Sequence, residues 1–401
     1  MTAAGNPVRS RRRLSALVGA SVAAVVLSGC SGVPETTRGP TSASTAMPSP
    51  SPSPSSPATD SADAPPATPA PVEDLGPLVP SGDPVPVATG LPAPWSVATL
   101  GDGSILVSER NTAAVVEIVD GQAVPVTTVP GVSAAGEGGL LGITTREETS
   151  GTWLYAMFTG ETDNRVVRMP LSGAAGARTA GAVTEVLTGL PKASNHNGGR
   201  IAFGPDGMLY VTAGDASASS NAQTLDSLGG KILRVTAEGQ VPADNPFPGS
   251  PVYSLGHRNP QGIAWAADGT LWAAEFGQDT WDEINRITPG ANYGWPLVEG
   301  MAGAEGLVDP VQQWATDDAS PSGIAVVGDT VFMAGLGGER LWSIRFDGSA
   351  VSHYDGQLGR IRDVVPGPGT TLYLLTNNTD GRGEPRAGDD VLYRVELVPA
   401  V

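Results

Sequence analysis

Cysteine is nearly absent from this chain of 401 residues. The single Cys30 excludes a disulfide framework and a cysteine-built zinc site. Histidine is almost as scarce: His196, His257 and His353 leave little material for a multi-histidine metal centre. Lysine occurs only at Lys192 and Lys231, and with 41 acids against 23 bases the formal charge is −18. So acidic a protein does not bind nucleic-acid phosphates through its overall charge, and no nucleic acid partner is expected. Aromatics make up 5% of residues, so a core must rest on Val, Leu, Ile and Ala. Three motifs are missing too: the Gly-x-x-x-x-Gly-Lys-Ser/Thr phosphate loop, the Gly-x-Ser-x-Gly elbow and His-Glu-x-x-His. Gly136-Glu137-Gly138-Gly139-Leu140-Leu141-Gly142 resembles a nucleotide loop only loosely, because its third glycine is misplaced and no βαβ pattern surrounds it.

Glycine and proline, by contrast, are abundant at 53 and 36 residues, against 16% charged residues. That balance favours many turns over long exposed helices. Residues 1–29 form a lipoprotein signal peptide by pattern. Arg9, Arg11, Arg12 and Arg13 precede the apolar run Leu14–Leu27, which is short for a membrane span. The run ends in Leu27-Ser28-Gly29-Cys30, which looks like a bacterial lipobox whose cysteine becomes the lipidated first residue. The expected location is the extracytoplasmic face of the bacterial cell membrane, with Cys30 as the anchor. Residues 30–84 are rich in Pro, Ser, Thr and Ala and bury too little apolar surface to offset ordering entropy. They read as a disordered tether.

The remainder, residues 85–401, repeats. A glycine turn followed by residues alternating apolar with small or polar recurs at Gly103, Gly151, Gly207, Gly269, Gly328 and Gly369. Asp-Gly beside such alternation signals a hairpin. The spacing, roughly 40 to 60 residues, is that of a four-stranded propeller blade. Six copies predict an all-β, six-bladed propeller. Ring closure is expected to pair a strand near Val85–Thr89 with one near Val391–Val398, hiding both sheet edges. A β-sandwich would give no reason for the period.

Polar clusters fall between the hairpins, where a propeller gathers them at one end of its channel. They are Ser194–Arg200, Gly256–Gly262, Glu275–Asn285, Asn292–Pro296 and Leu358–Asp363. A histidine, several arginines and an oxygen-rich loop would then surround one pocket. Oxygen ligands suit a hard cation such as Ca2+, and arginine forks suit a ligand with several carboxylates.

From about Leu91 onward these strings resemble the soluble glucose and aldose sugar dehydrogenases that use pyrroloquinoline quinone (PQQ). The most specific are Gly-His-Arg-Asn-Pro-Gln-Gly (256–262), Asp-Glu-Ile-Asn (282–285), Asn-Tyr-Gly-Trp-Pro (292–296) and Arg-Ile-Arg-Asp (360–363). The resemblance implies oxidation of an aldose at C1 to a lactone by hydride transfer to the quinone, and it leaves the electron acceptor open. By motif position, His196 is implied as general base. Arg258 assists polarisation of the quinone, and Glu137, Asn259, Arg360 and Arg362 line its site. Backbone carbonyls of Gly277 and Gln278 are implied to hold Ca2+, and Glu283 and Tyr293 match positions that hold a second, structural Ca2+.

The chain departs from that pattern at three positions. Glu137 stands where relatives carry Gln, Gly337 where they carry Lys, and Asn195 where the glucose enzymes carry Asp. A carboxylate at 137 is expected to repel an anionic cofactor unless it is protonated or near the metal. Arg340 is the nearest candidate to replace the lost lysine. A Ca2+-dependent sugar lactonase and a non-catalytic propeller that binds glycan or protein are the competing classes.

Overall fold

The computed structural model describes residues 75–400. The signal segment, Cys30 and the tether up to residue 74 lie outside them.

Six antiparallel four-stranded sheets form a ring. Blade 1 comprises Pro94–Thr99, Ile105–Glu109, Ala114–Val119 and Gln122–Thr128. Blade 2 is built on Leu140–Glu148, Gly151–Thr159, Asn164–Ser172 and Thr184–Leu190, with the short strand Thr179–Ala180 added beside its third strand. Blades 3, 4 and 5 begin at Ile201–Phe203, Pro260–Trp265 and Pro321–Val327. Blade 6 takes Ile361–Pro366, Thr371–Thr376 and Leu392–Pro399 from the end of the chain and Leu78–Ala88 from its start. Among the described residues the only helix is a 3-10 turn, Ser219–Gln223.

All six repeat glycines connect the first and second strands of a blade, as the blade-sized period requires. Closure pairs Val85 with Arg394, Pro86 with Tyr393 and Ala88 with Leu392, as expected. The closing strand begins earlier than expected, at Leu78, inside the segment assigned to the tether. Pro80, Pro84 and Pro86 give it the composition of a linker, yet it lies at the outer edge of blade 6, where missing N–H groups face no ladder.

The core lies between blades rather than within them. One apolar cluster joins each adjacent pair: Val115 and Leu154 meet between blades 1 and 2, and Phe332 and Leu372 between blades 5 and 6. Val97 and Leu375 close the ring between blades 6 and 1. The first strands of the blades line the central channel. Its repeat-turn half holds a cavity of about 500 Å³ walled by Val97, Ile143, Ile201, Ile263, Ile324 and Val364. Arg200 lies across the channel, with Nη1 2.9 Å from Asp363 Oδ2 and 3.0 Å from Ser96 Oγ, tying blades 3, 6 and 1.

Candidate active site

Antiparallel pairing sets where the polar loops go. The chain enters the first strand of each blade at the end where it leaves the second, opposite the repeat turns. His196, Arg258 and Arg360 all precede first strands, at Ile201, Pro260 and Ile361. Arg110, Asp215 and Phe276 all follow second strands, which end at Glu109, Ala213 and Glu275. These loops therefore share one face.

Two sizeable cavities open there, and a third of only about 10 Å³ is lined by Gly277, Glu283, Tyr293 and Glu299 among others. The larger, about 440 Å³, is lined by His196, Asp215, Arg258, Gln278 and Trp295 among others. His196 Nδ1 lies 2.8 Å from Asp215 Oδ1, and Asp215 Oδ2 accepts a hydrogen bond from Trp295 Nε1 at 2.9 Å. Burial would raise the Asp215 carboxyl, but the bonds from His196 and Trp295 outweigh it and hold the group below its ordinary range. An ionised Asp215 fixes the proton on Nδ1, leaving the Nε2 lone pair free. The segment carrying Asp215 is pinned in turn. Asn221 Nδ2 donates to Asp215 O at 2.9 Å, and the buried Lys231 Nζ donates to the carbonyls of Asn221, Ala222 and Gly229.

The smaller cavity, about 180 Å³, is lined by Arg110, Glu137, Gln261, Arg360, Arg362 and Arg382 among others. Asp380 lies 3.8 Å from Arg110 and 3.5 Å from Arg360. Arg362 has no carboxylate partner among the described residues; its guanidinium stacks on Trp95, 4.6 Å from the ring centroid. Arg362 Nε and Arg360 Nε are buried without a hydrogen bond. Burial, with Arg110 and Arg200 adding repulsion, pushes the Arg362 guanidinium down from its usual range. A buried cation in that state calls for an anion. Four guanidiniums against Glu137 and Asp380 leave the cavity positive, and a planar polycarboxylate such as PQQ fits that donor set.

The expected residues mostly converge here. His196, Arg258 and Gln278 face the larger cavity, and Glu137, Arg360 and Arg362 the smaller. Arg258 Nη2 donates to Gln278 Oε1 at 2.8 Å, and its guanidinium lies 5.6 Å from the Trp295 ring centroid. Asn259 turns toward the base loop, its Oδ1 accepting from Gly198 N at 3.0 Å. The glycine-rich run is tight because it packs on that same loop. A Cβ at Gly136 would lie 2.2 Å from Ser194 O, and one at Gly142 2.3 Å from Gly199 O. This is a packing motif, not a nucleotide cradle.

Two expectations about charge need correction. Arg340 does not replace the family lysine, because it pairs with Asp355 at 3.3 Å and is not in the cavity wall. Glu137 is not an uncompensated anion, since its Oε1 accepts from Arg382 at 3.1 Å. A side chain at Gly337 would have to displace Ser320 Oγ, 2.4 Å from the Cβ position. Positive charge enters instead through Arg110 and Arg382, which the sequence reading missed. Arg110 and Asp215 had a usable signal, their place just past the second strand of a blade. Arg382, inside a long connection, had none.

The oxygen-rich loop is shaped by Glu299, also missed. Its Oε1 accepts the amides of Gln278, Asp279, Thr280 and Trp281. Burial opposes ionisation of Glu299, yet these amides hold its carboxyl below the usual range. The carbonyls of Gly277 and Gln278 accept no hydrogen bond from any described residue, so as hard oxygens they suit Ca2+. Glu283 is half-buried, with Oε1 accepting from Gly300 N at 2.8 Å and Oε2 from Asn285 Nδ2 at 3.0 Å; desolvation and the nearby Glu275 push it up to about 7. The Tyr293 hydroxyl donates to Arg286 O and accepts from Thr288 N, so a cation beside Glu283 would meet its main chain rather than its phenol. Among the described residues, no cluster of three His, Cys, Asp or Glu side chains is arranged to hold a metal.

The chain thus carries an acid-oriented histidine beside an arginine-lined cavity on a six-bladed propeller. The chain belongs to the glucose/sorbosone dehydrogenase family, whose model matches residues 91–394, and within it to the PQQ-dependent sugar dehydrogenases. It is 48% identical to an aldose sugar dehydrogenase from Streptomyces coelicolor solved in its PQQ-bound form. That match covers 80% of this chain and 100% of the other, with a TM-score of 0.76. It is 31% identical to the aldose sugar dehydrogenase of Escherichia coli, across 72% of this chain and 88% of the relative. Against the quinoprotein glucose dehydrogenase B of Acinetobacter calcoaceticus it is 31% identical, over 53% of this chain and 52% of that one.

Proposed function

We propose that the protein oxidises aldoses at C1 to lactones, with PQQ as its cofactor. The unpaired, buried Arg362 beside Arg110, Arg360 and Arg382 is the observation that carries this reading. When bound, the quinone supplies the two-electron acceptor for the hydride leaving sugar C1. Forming the lactone carbonyl also requires loss of the C1 hydroxyl proton, and His196 Nε2 takes it as general base. Asp215 keeps the imidazole in the tautomer that can accept this proton and stabilises the imidazolium formed. Arg360 and Arg362 bind carboxylates of the cofactor. Arg258 would supply positive charge toward the quinone, and the Gly277 and Gln278 carbonyls would hold a Ca2+ that adds to it. Glu283 and the Tyr293 main chain provide the second cation site. Cys30 anchors the chain to the membrane by its lipid, which places oxidation outside the cytoplasm.

Incubating the purified protein with Ca2+ and PQQ, then offering aldoses and a redox dye, tests this. Sugar-dependent dye reduction that requires both additions is expected. No reduction with any aldose, together with quinone-independent hydrolysis of a sugar lactone, would replace this reading with the lactonase.

A further inference from the structure

Glu137, in the wall of the smaller cavity, also reaches the loop that carries His196. One oxygen, Oε2, accepts from the main-chain N of His196 at 3.0 Å; the other, Oε1, accepts from Arg382 Nη1 at 3.1 Å. The Glu137 main chain is itself pinned, its N donating to Ser194 O at 2.8 Å. His196 has a φ of +56°, a backbone conformation costly for a non-glycine residue. A carboxylate accepting its amide is a stronger tie than a neutral amide oxygen would be. The drawback is a negative charge on the wall of an anion-binding cavity. Arg382 answers that charge from the connection between Thr371–Thr376 and Leu392–Pro399, where Asp380 and Asp390 fold the backbone.

We propose that Glu137 and Arg382 act as one unit: Glu137 is a positioning residue that holds the His196 backbone, and Arg382 neutralises Glu137 so that an anionic cofactor can bind beside it. This rests on the quinone reading above and deepens it. Arg382 then has a different task from Arg362, because its charge is already committed to Glu137.

A double-mutant cycle separates that task from direct cofactor binding. PQQ is titrated into the apo forms of wild type, Glu137→Gln, Arg382→Gln and the double variant, following tryptophan fluorescence. With Glu137 present, Arg382→Gln should weaken binding about fivefold, the scale of a half-exposed charge pair. With Gln at 137, the same change should have little effect. Equal weakening in both backgrounds would make Arg382 a direct ligand and overturn the proposal. Loss of binding in all four proteins, wild type included, would instead remove the quinone reading itself. The positioning role is read from kcat at saturating quinone. Glu137→Ala should lower kcat with little change in KM for the sugar, and Glu137→Gln, which keeps an acceptor, should recover most of the loss. An unchanged kcat in Glu137→Ala would overturn it.

Discussion

Asp215 and His196 meet at the open end of one hairpin, one following the second strand of blade 3 and the other preceding its first strand, with 2.8 Å between Oδ1 and Nδ1. The antiparallel ladder that pairs Ile201 with Val211 brings residues 19 apart in sequence into hydrogen-bond contact. The base is thus oriented from within its own blade.

Removing the base should cost turnover and spare cofactor affinity. His196→Asn keeps a polar group of similar reach but no base, so kcat should fall by about 10²–10⁴. The quinone dissociation constant should change little. Wild-type turnover at saturating quinone would show that another group takes the proton.

Acid titration should reveal the Asp215 pair. A carboxylate held below its ordinary value of 3.8 stabilises the fold above that pH, and the contribution is lost as pH falls through the folded value. Wild type should therefore exceed Asp215→Asn in stability from neutrality down to about pH 4, with no loss of margin over that range. Below that the margin should close. Denaturant midpoints across the range measure it, and a margin shrinking already near pH 6 would contradict the assignment.

Arg362 should trade stability against binding. Arg362→Met removes a buried cation that lacks a carboxylate partner and keeps an apolar stem against Trp95. The apo protein should melt higher, by roughly 2 °C for each kcal/mol gained in a domain this large. PQQ binding should weaken strongly in the same variant. A lower apo melting temperature would mean that the guanidinium is already satisfied.

Metal should show in the same kind of scan. If Ca2+ binds only the native state, the melting temperature of fully stripped protein must rise with free Ca2+. Glu299→Gln, which weakens the tie to four loop amides, should reduce that rise. An unchanged midpoint between chelator and millimolar Ca2+ would count against the site.

Glycine punctuation every blade length, with alternating apolar residues after it, was enough to specify the propeller, because a hairpin needs only local turn chemistry and a period of two. Motif strings likewise marked His196, Arg258 and Arg360, just before recognisable first strands, and Arg362, at the start of one. The closing strand at Leu78 was illegible for a local reason: its prolines look like linker, and only its edge position permits them. Charge balance at the site was illegible for a non-local one. Glu137 and Arg382 are 245 residues apart in sequence, and Arg110 reaches Asp380 across 270. Read along the chain, Glu137 looked like a repulsive substitution and Arg340 like a replacement lysine. The closed ring brings blade 6 back against blade 1 and decided both. It set Arg382 opposite Glu137 and left Arg362 unpaired, because charge pairing follows distance in space, which this topology makes nearly independent of distance in sequence.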